Sequence, residues 1–204
     1  MADSVAVINY GMGNLRSVVN ALTFIGAEAY VASHPRELEG ADRIVLPGVG
    51  AFGDAMERLI SGGWIEGLEK EVLSDGKPFM GICLGMQLLA GTSTEHGEHN
   101  GLNWIPGKVV RFPEKELVVP HIGWNDVSFR QEGGLYAGLG DSEAFYFVHS
   151  YYYVPDDDSV VTGTCIYGLE YAASLRKDNI VATQFHPEKS HKAGLAILKN
   201  FLSM

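Results

Sequence analysis

The chain has 204 residues, of which 46% are apolar and 20% charged, which suits one globular α/β domain and excludes a disordered segment. A formal net charge of −10 argues against a surface that tracks nucleic-acid phosphates, and no stretch approaches the roughly 18 apolar residues of a membrane helix. The first residues lack the basic start and apolar run of a secretion signal, so the two cysteines read as free thiols of a soluble, cytoplasmic protein.

In chain order, "SVAVIN" (Ser4–Asn9) predicts a strand and "YGMGN" the turn after it. Leu15, Val18, Val19, Leu22 and Ile25 then recur at helical spacing up to Gly26. "EAYVA" and "RIVLP" (Arg43–Pro47) predict the second and third strands. "DAMERLI" and "WIEGLEKEVL" predict helix, interrupted near Gly62–Gly63. "PFMGI" predicts a fourth strand, and "GMQLLAG" opens the next helix. This alternation, through about residue 91, is that of a parallel sheet covered by helices on both faces. "GKVVRF", "LVVP", "NDVSF", "AFYFVHSYYYV", "VVTGTCIY" and "YAASLR" then predict an antiparallel β excursion. "NIVATQF" returns as strand and "KAGLAILKNFL" closes as helix. No repeat or linker interrupts the chain, so residues 1–204 are expected to form a single domain.

Cysteine 83 stands in "GICLG", between a predicted strand and a predicted helix. That is the context of a nucleophile elbow, in which small neighbours let a tight turn lift the reactive side chain above the C-terminal edge of the sheet. The helix N-terminus is expected to favour the thiolate, and the Leu84 N–H to point toward an oxyanion formed on attack. A buried structural cysteine in a Gly-rich turn is the plainer alternative.

A nucleophile needs a base, and "NIVATQFHPEKS" offers His186 at the end of a β-type run. Residues two apart in extended chain face one side, so Glu188 is placed to orient that imidazole. A strand-end histidine beside a solvated glutamate is the alternative. His96 and His99 lie in a polar loop, and His191 follows a proline that opposes a zinc-binding helix, so no metal is expected.

Gly48-Val49-Gly50-Ala51-Phe52-Gly53 matches the G-x-G-x-x-G dinucleotide fingerprint. It follows the third predicted strand rather than the first, Pro47 breaks the usual entry, and Glu69 and Glu71 downstream look helical. The preferred reading is a loop facing the elbow, whose glycines let a peptide plane flip and gate an oxyanion hole.

With the "PGVG" loop, "GICLGMQLL" and "HPE" in that order, the chain resembles the class I (triad) glutamine amidotransferases over essentially its whole length. "NYGMGNLRSV", "LPGVGAFGDAM", "PHIGWN", "YFVHSYY" and "FHPEKS" narrow the resemblance to the branch of that family serving imidazole glycerol phosphate synthase in histidine biosynthesis. The resemblance implies a flavodoxin-like, mostly parallel sheet flanked by helices, and a Cys83–His186–Glu188 triad that hydrolyses L-glutamine through a thioester. It implies oxyanion donors at Val49 and Leu84, and glutamine contacts at Gly48, Gly50, Gln87, Glu95, His149, Ser150 and Tyr151. It implies no cofactor. The implied partner is a separate cyclase with a (β/α)8 barrel, bound as a heterodimer and fed with ammonia through a tunnel. Asn9, Tyr10, Met12, Asn14 and Trp124 are the candidates for that interface; a plain βα turn and a half-buried core tryptophan are the alternatives. Two rival readings are a cysteine hydrolase on a related fold and a binding subunit without turnover.

Overall fold

A computed structural model of the chain describes residues 3–113, 117–131 and 133–204. The first half alternates strand and helix: β1 (Ser4–Ile8), α1 (Leu15–Phe24), β2 (Glu28–Ala32), β3 (Arg43–Gly48), α2 (Phe52–Ser61), α3 (Trp64–Leu68), β4 (Phe79–Cys83) and α4 (Leu84–Gln87). A π turn, Glu69–Ser74, follows α3. Strands dominate the second half: β5 (Thr92–Ser93), β6 (His99–Asn100), β7 (Gly107–Arg111), β8 (His121–Phe129), β9 (Ser142–His149), β10 (Tyr151–Pro155), β11 (Val161–Tyr167), β12 (Leu169–Lys177) and β13 (Ile180–Thr183). Helix α5 (His191–Phe201) closes the chain.

Strand alternation sorts side chains into two cores, one on each face of the main sheet. Val5 and Val7 of β1 join one cluster, with Val18 and Leu22 of α1 and Ile197 and Phe201 of α5. Ala6 and Ile8 join the other, with Phe52 and Leu59 of α2 and Leu68 of α3. The continuous apolar runs of β1 and β3 follow from burial on both faces.

The nine strands of the main sheet are ordered β2-β1-β3-β4-β13-β12-β11-β8-β9. Neighbours from β2 to β13 run parallel, and from β13 to β9 antiparallel. The sheet is therefore mixed, its parallel half flanked by helices as expected and its other half the antiparallel excursion. Strands β10, β7, β5 and β6 form a separate small sheet. "LVVP" is not a strand: Leu117–Pro120 is bent, and β8 begins after it.

One pairing positions the site. The excursion leaves after α4 and returns through β13, which docks beside β4 in register Ala182↔Gly81 and Thr183↔Ile82. The chain segments that follow these neighbouring parallel strands thus emerge at the same edge of the sheet. Glu71 is buried, with Lys70 Nζ at 2.5 Å and Lys77 Nζ at 2.6 Å, so it does not serve as a ribose-binding acid.

Candidate active site

Cys83 ends β4 with φ 55° and ψ −108°, a left-handed backbone that a side-chain-bearing residue seldom adopts. The flanking glycines are steric requirements of that turn. A Cβ on Gly85 would overlap the Leu46 carbonyl oxygen, and one on Gly81 would lie 2.7 Å from the Gly85 oxygen. Helix α4, however, is a single short turn, so the helix dipole expected to favour the thiolate is slight. The groups that act on the sulfur are side chains.

The first of these is His186. It follows β13, and its backbone is pinned: its N–H donates to the Tyr146 carbonyl at 2.9 Å, and its carbonyl accepts from Ser190 Oγ at 2.6 Å. Ser190 Oγ in turn accepts the Tyr146 N–H at 3.0 Å. Nδ1 of the imidazole pairs with Glu188 Oε1 at 2.8 Å, with both side chains almost fully buried. Among the described residues Nε2 has no hydrogen-bond partner of ordinary geometry, and the Cys83 sulfur is the neighbour that acts on its charge. Burial pushes the imidazole pKa down, but the Cys83 sulfur and the Glu188 carboxylate outweigh it, and the value is raised to about 10. The arrangement can hold a sulfur anion against an imidazolium and pass that proton to a leaving group.

Beside Cys83 opens a cavity of about 300 Å³. Val49 and Gly50 of the "PGVG" loop line it, as does Leu84 of the elbow. Gln87 and Glu95 line it too, and so does the turn His149–Tyr151 at the end of β9. Gly48 lies behind the wall, packed on Leu84 and the Tyr10 ring hydroxyl. Glu95 Oε2 accepts the Phe52 N–H at 2.7 Å and so caps the start of α2. Pro120 and Val148 also line the cavity and were not anticipated from the sequence. Neither was Gln184, fully buried with its amide nitrogen 3.7 Å from Cys83 Sγ. The signal for it was the same two-residue alternation that paired His186 with Glu188: in "QFH", Gln184 and His186 turn to the cysteine while Phe185 stacks on Phe145 at 4.0 Å.

The loop after β1 stands next to this site. Met12 packs against Gly50, where an added Cβ would lie 2.7 Å from Met12 Cε. Tyr10, expected among surface contacts, is corrected to a core position: it is 5% exposed, and its hydroxyl is directed at Gly48. Asn9 Oδ1 accepts the Gly11 N–H, and Asn14 Oδ1 caps α1 through the Ser17 N–H. Trp124 is 47% exposed and stacks on His191 at 4.9 Å, a surface residue rather than a core one.

Residues 6–204 match the family model for glutamine amidotransferase class-I. The chain belongs to that family. Within the family it is 53% identical to the imidazole glycerol phosphate synthase subunit HisH of Geobacter sulfurreducens, over 98% of both chains. It is 52% identical to the same-named subunit of Methanothermobacter thermautotrophicus, again over 98% of each. Among solved structures it is similar to PurLQS from Thermotoga maritima, with a TM-score of 0.79 at 20% identity over 100% of this chain and 99% of that one. At that identity the likeness speaks for the fold alone. As a class-I glutamine amidotransferase of the HisH type, this protein is an enzyme with glutaminase activity.

Proposed function

We propose that this amidotransferase is the glutaminase subunit of an imidazole glycerol phosphate synthase, with Cys83 as nucleophile. The Cys83 sulfur attacks the side-chain amide carbon of L-glutamine, and the carbonyl electrons move onto oxygen, stabilised by the N–H groups of Val49 and Leu84. The tetrahedral species collapses as His186 Nε2 gives its proton to the departing ammonia, leaving a γ-glutamyl thioester. His186 then takes a proton from water, hydroxide displaces the sulfur, and glutamate leaves. Glu188 holds the imidazole throughout and stabilises its cationic form. Gln87, Glu95 and the His149–Tyr151 turn bind the amino acid's ammonium and carboxylate.

The observation that carries this reading is the strained Cys83 elbow lining a small cavity, with the buried His186–Glu188 pair following the neighbouring parallel strand. Half the sequence is shared with proteins named as subunits of the synthase, which supports a partner subunit; the proposed partner is a cyclase of (β/α)8 form, joined as a heterodimer and receiving the ammonia. The docking face includes Asn9, Met12, Asn14 and Trp124. Met12 on Gly50, and the Tyr10 hydroxyl on Gly48, give docking a direct contact with the oxyanion loop. Two unpaired cysteines, one of them the nucleophile, suit the cytoplasm. Cys83→Ala tests the assignment: glutamine hydrolysis is lost while synthesis from added ammonia by the complex persists. Residual glutaminase turnover in that variant would reject Cys83.

A further inference from the structure

Gln184 takes no part in the steps above, yet it touches both the nucleophile and the pocket wall. Its Oε1 accepts from Gln87 Nε2 at 2.9 Å, and its Nε2 lies 3.7 Å from Cys83 Sγ. Gln87 Nε2 also donates to the Tyr151 carbonyl at 3.0 Å. These contacts fix the direction of both amides. A backbone carbonyl can only accept, so the Gln87 atom on Tyr151 is the nitrogen, and its other hydrogen requires an acceptor at Gln184. The end of Gln184 left over is an N–H, and it is aimed at the sulfur. What Gln87 has left for a ligand is its oxygen, an acceptor suited to an ammonium group.

We propose that Gln184 is a positioning residue for the glutaminase reaction, its amide N–H holding Cys83 as thiolate and its carbonyl locking Gln87 as an acceptor for substrate. The inference rests on Cys83 being the nucleophile. The Val148 carbonyl, 4.0 Å from Sγ, accepts from a thiol and repels a thiolate, so a fixed donor at 3.7 Å tips the balance. That donor does not titrate, unlike His186, and it serves again when the sulfur departs from the thioester. Leucine at 184 keeps bulk without a donor, and glutamate turns an acceptor toward the sulfur.

The test is the pH profile of Cys83 alkylation by iodoacetamide, with Cys165, which is buried and lines no part of the cavity, as the internal control. In Gln184→Leu the rate at neutral pH falls about tenfold while the high-pH plateau is unchanged, because thiolate is lost and access is not. Gln184→Glu lowers the neutral rate further. Gln184→Met, unbranched and without a donor, must reproduce the leucine result and replaces it if the leucine variant fails to fold. Coincident profiles for parent and donor-less variants would overturn the proposal, as would a lowered plateau, which marks general disruption. The profile needs no substrate, so absence of glutamine turnover by the parent complex would instead overturn the proposed function.

Discussion

Cys83 holds its left-handed backbone at a cost of about 1–3 kcal/mol for a residue with a Cβ, a strain the surrounding sheet must maintain. Cys83→Gly should therefore be more stable than Cys83→Ala by about 1 kcal/mol in urea unfolding, the reverse of the usual order of these residues inside regular structure. An alanine variant as stable as the glycine one would mean the turn is unstrained. Histidines supply two opposite pH signatures. The His186 pKa is raised to about 10, so its stabilising contribution is full below the unfolded value near ~6.5 and disappears as pH rises through about 10. Burial instead lowers His121 to about 4 and His149 to about 3, so their contributions are present above ~6.5 and are lost as pH falls through those values. Unfolding free energies of the parent and His186→Gln should accordingly differ most near pH 6 and converge toward pH 10. A difference that grows with pH would contradict the ion pair. Of these groups, Cys83, His186 and Glu188 were legible from glycine punctuation and a two-residue offset. Gln184 was equally spaced but unremarkable as a residue type, and only the fold brings its amide to the sulfur.

At the scale of elements, the site depends on β13 lying beside β4 and on the β1 loop touching the β3 loop. The first half of the sheet could be read because each strand is a short apolar run followed by a helical period. The place of β13 could not, because that pairing is non-local and nothing in "NIVATQF" names its neighbour. "LVVP" has the composition of a strand but bends into the wall of the cavity at Pro120. Tyr10 sat in a turn motif that looked exposed, whereas its ring fills the core beneath the loop it was expected to decorate. The contact between loops gives a prediction. Gly50 has φ +102°, and an added Cβ would collide with Met12. Gly50→Ala should leave the fold intact but, at saturating cyclase, reduce stimulated glutaminase turnover by about 10²–10³, the usual loss for a misplaced oxyanion donor. Parent-like turnover in that variant would free the loop of any gating role.

For the whole molecule, the chemistry demands that ammonia not be released before an acceptor is in place. The β1 loop, part of the proposed docking face, touches Gly50 and Gly48 of the proposed oxyanion loop through Met12 and Tyr10, so partner binding has a physical route to the reacting atoms. A partner can shift the loop only through contacts that differ between its two orientations. The most direct measurement is the steady-state rate of glutamate release from glutamine as cyclase, loaded with its nucleotide ligand, is titrated into this chain. A near-silent isolated chain and a steep rise that saturates at one cyclase per amidotransferase are expected. Equal rates with and without the loaded cyclase would contradict this coupling.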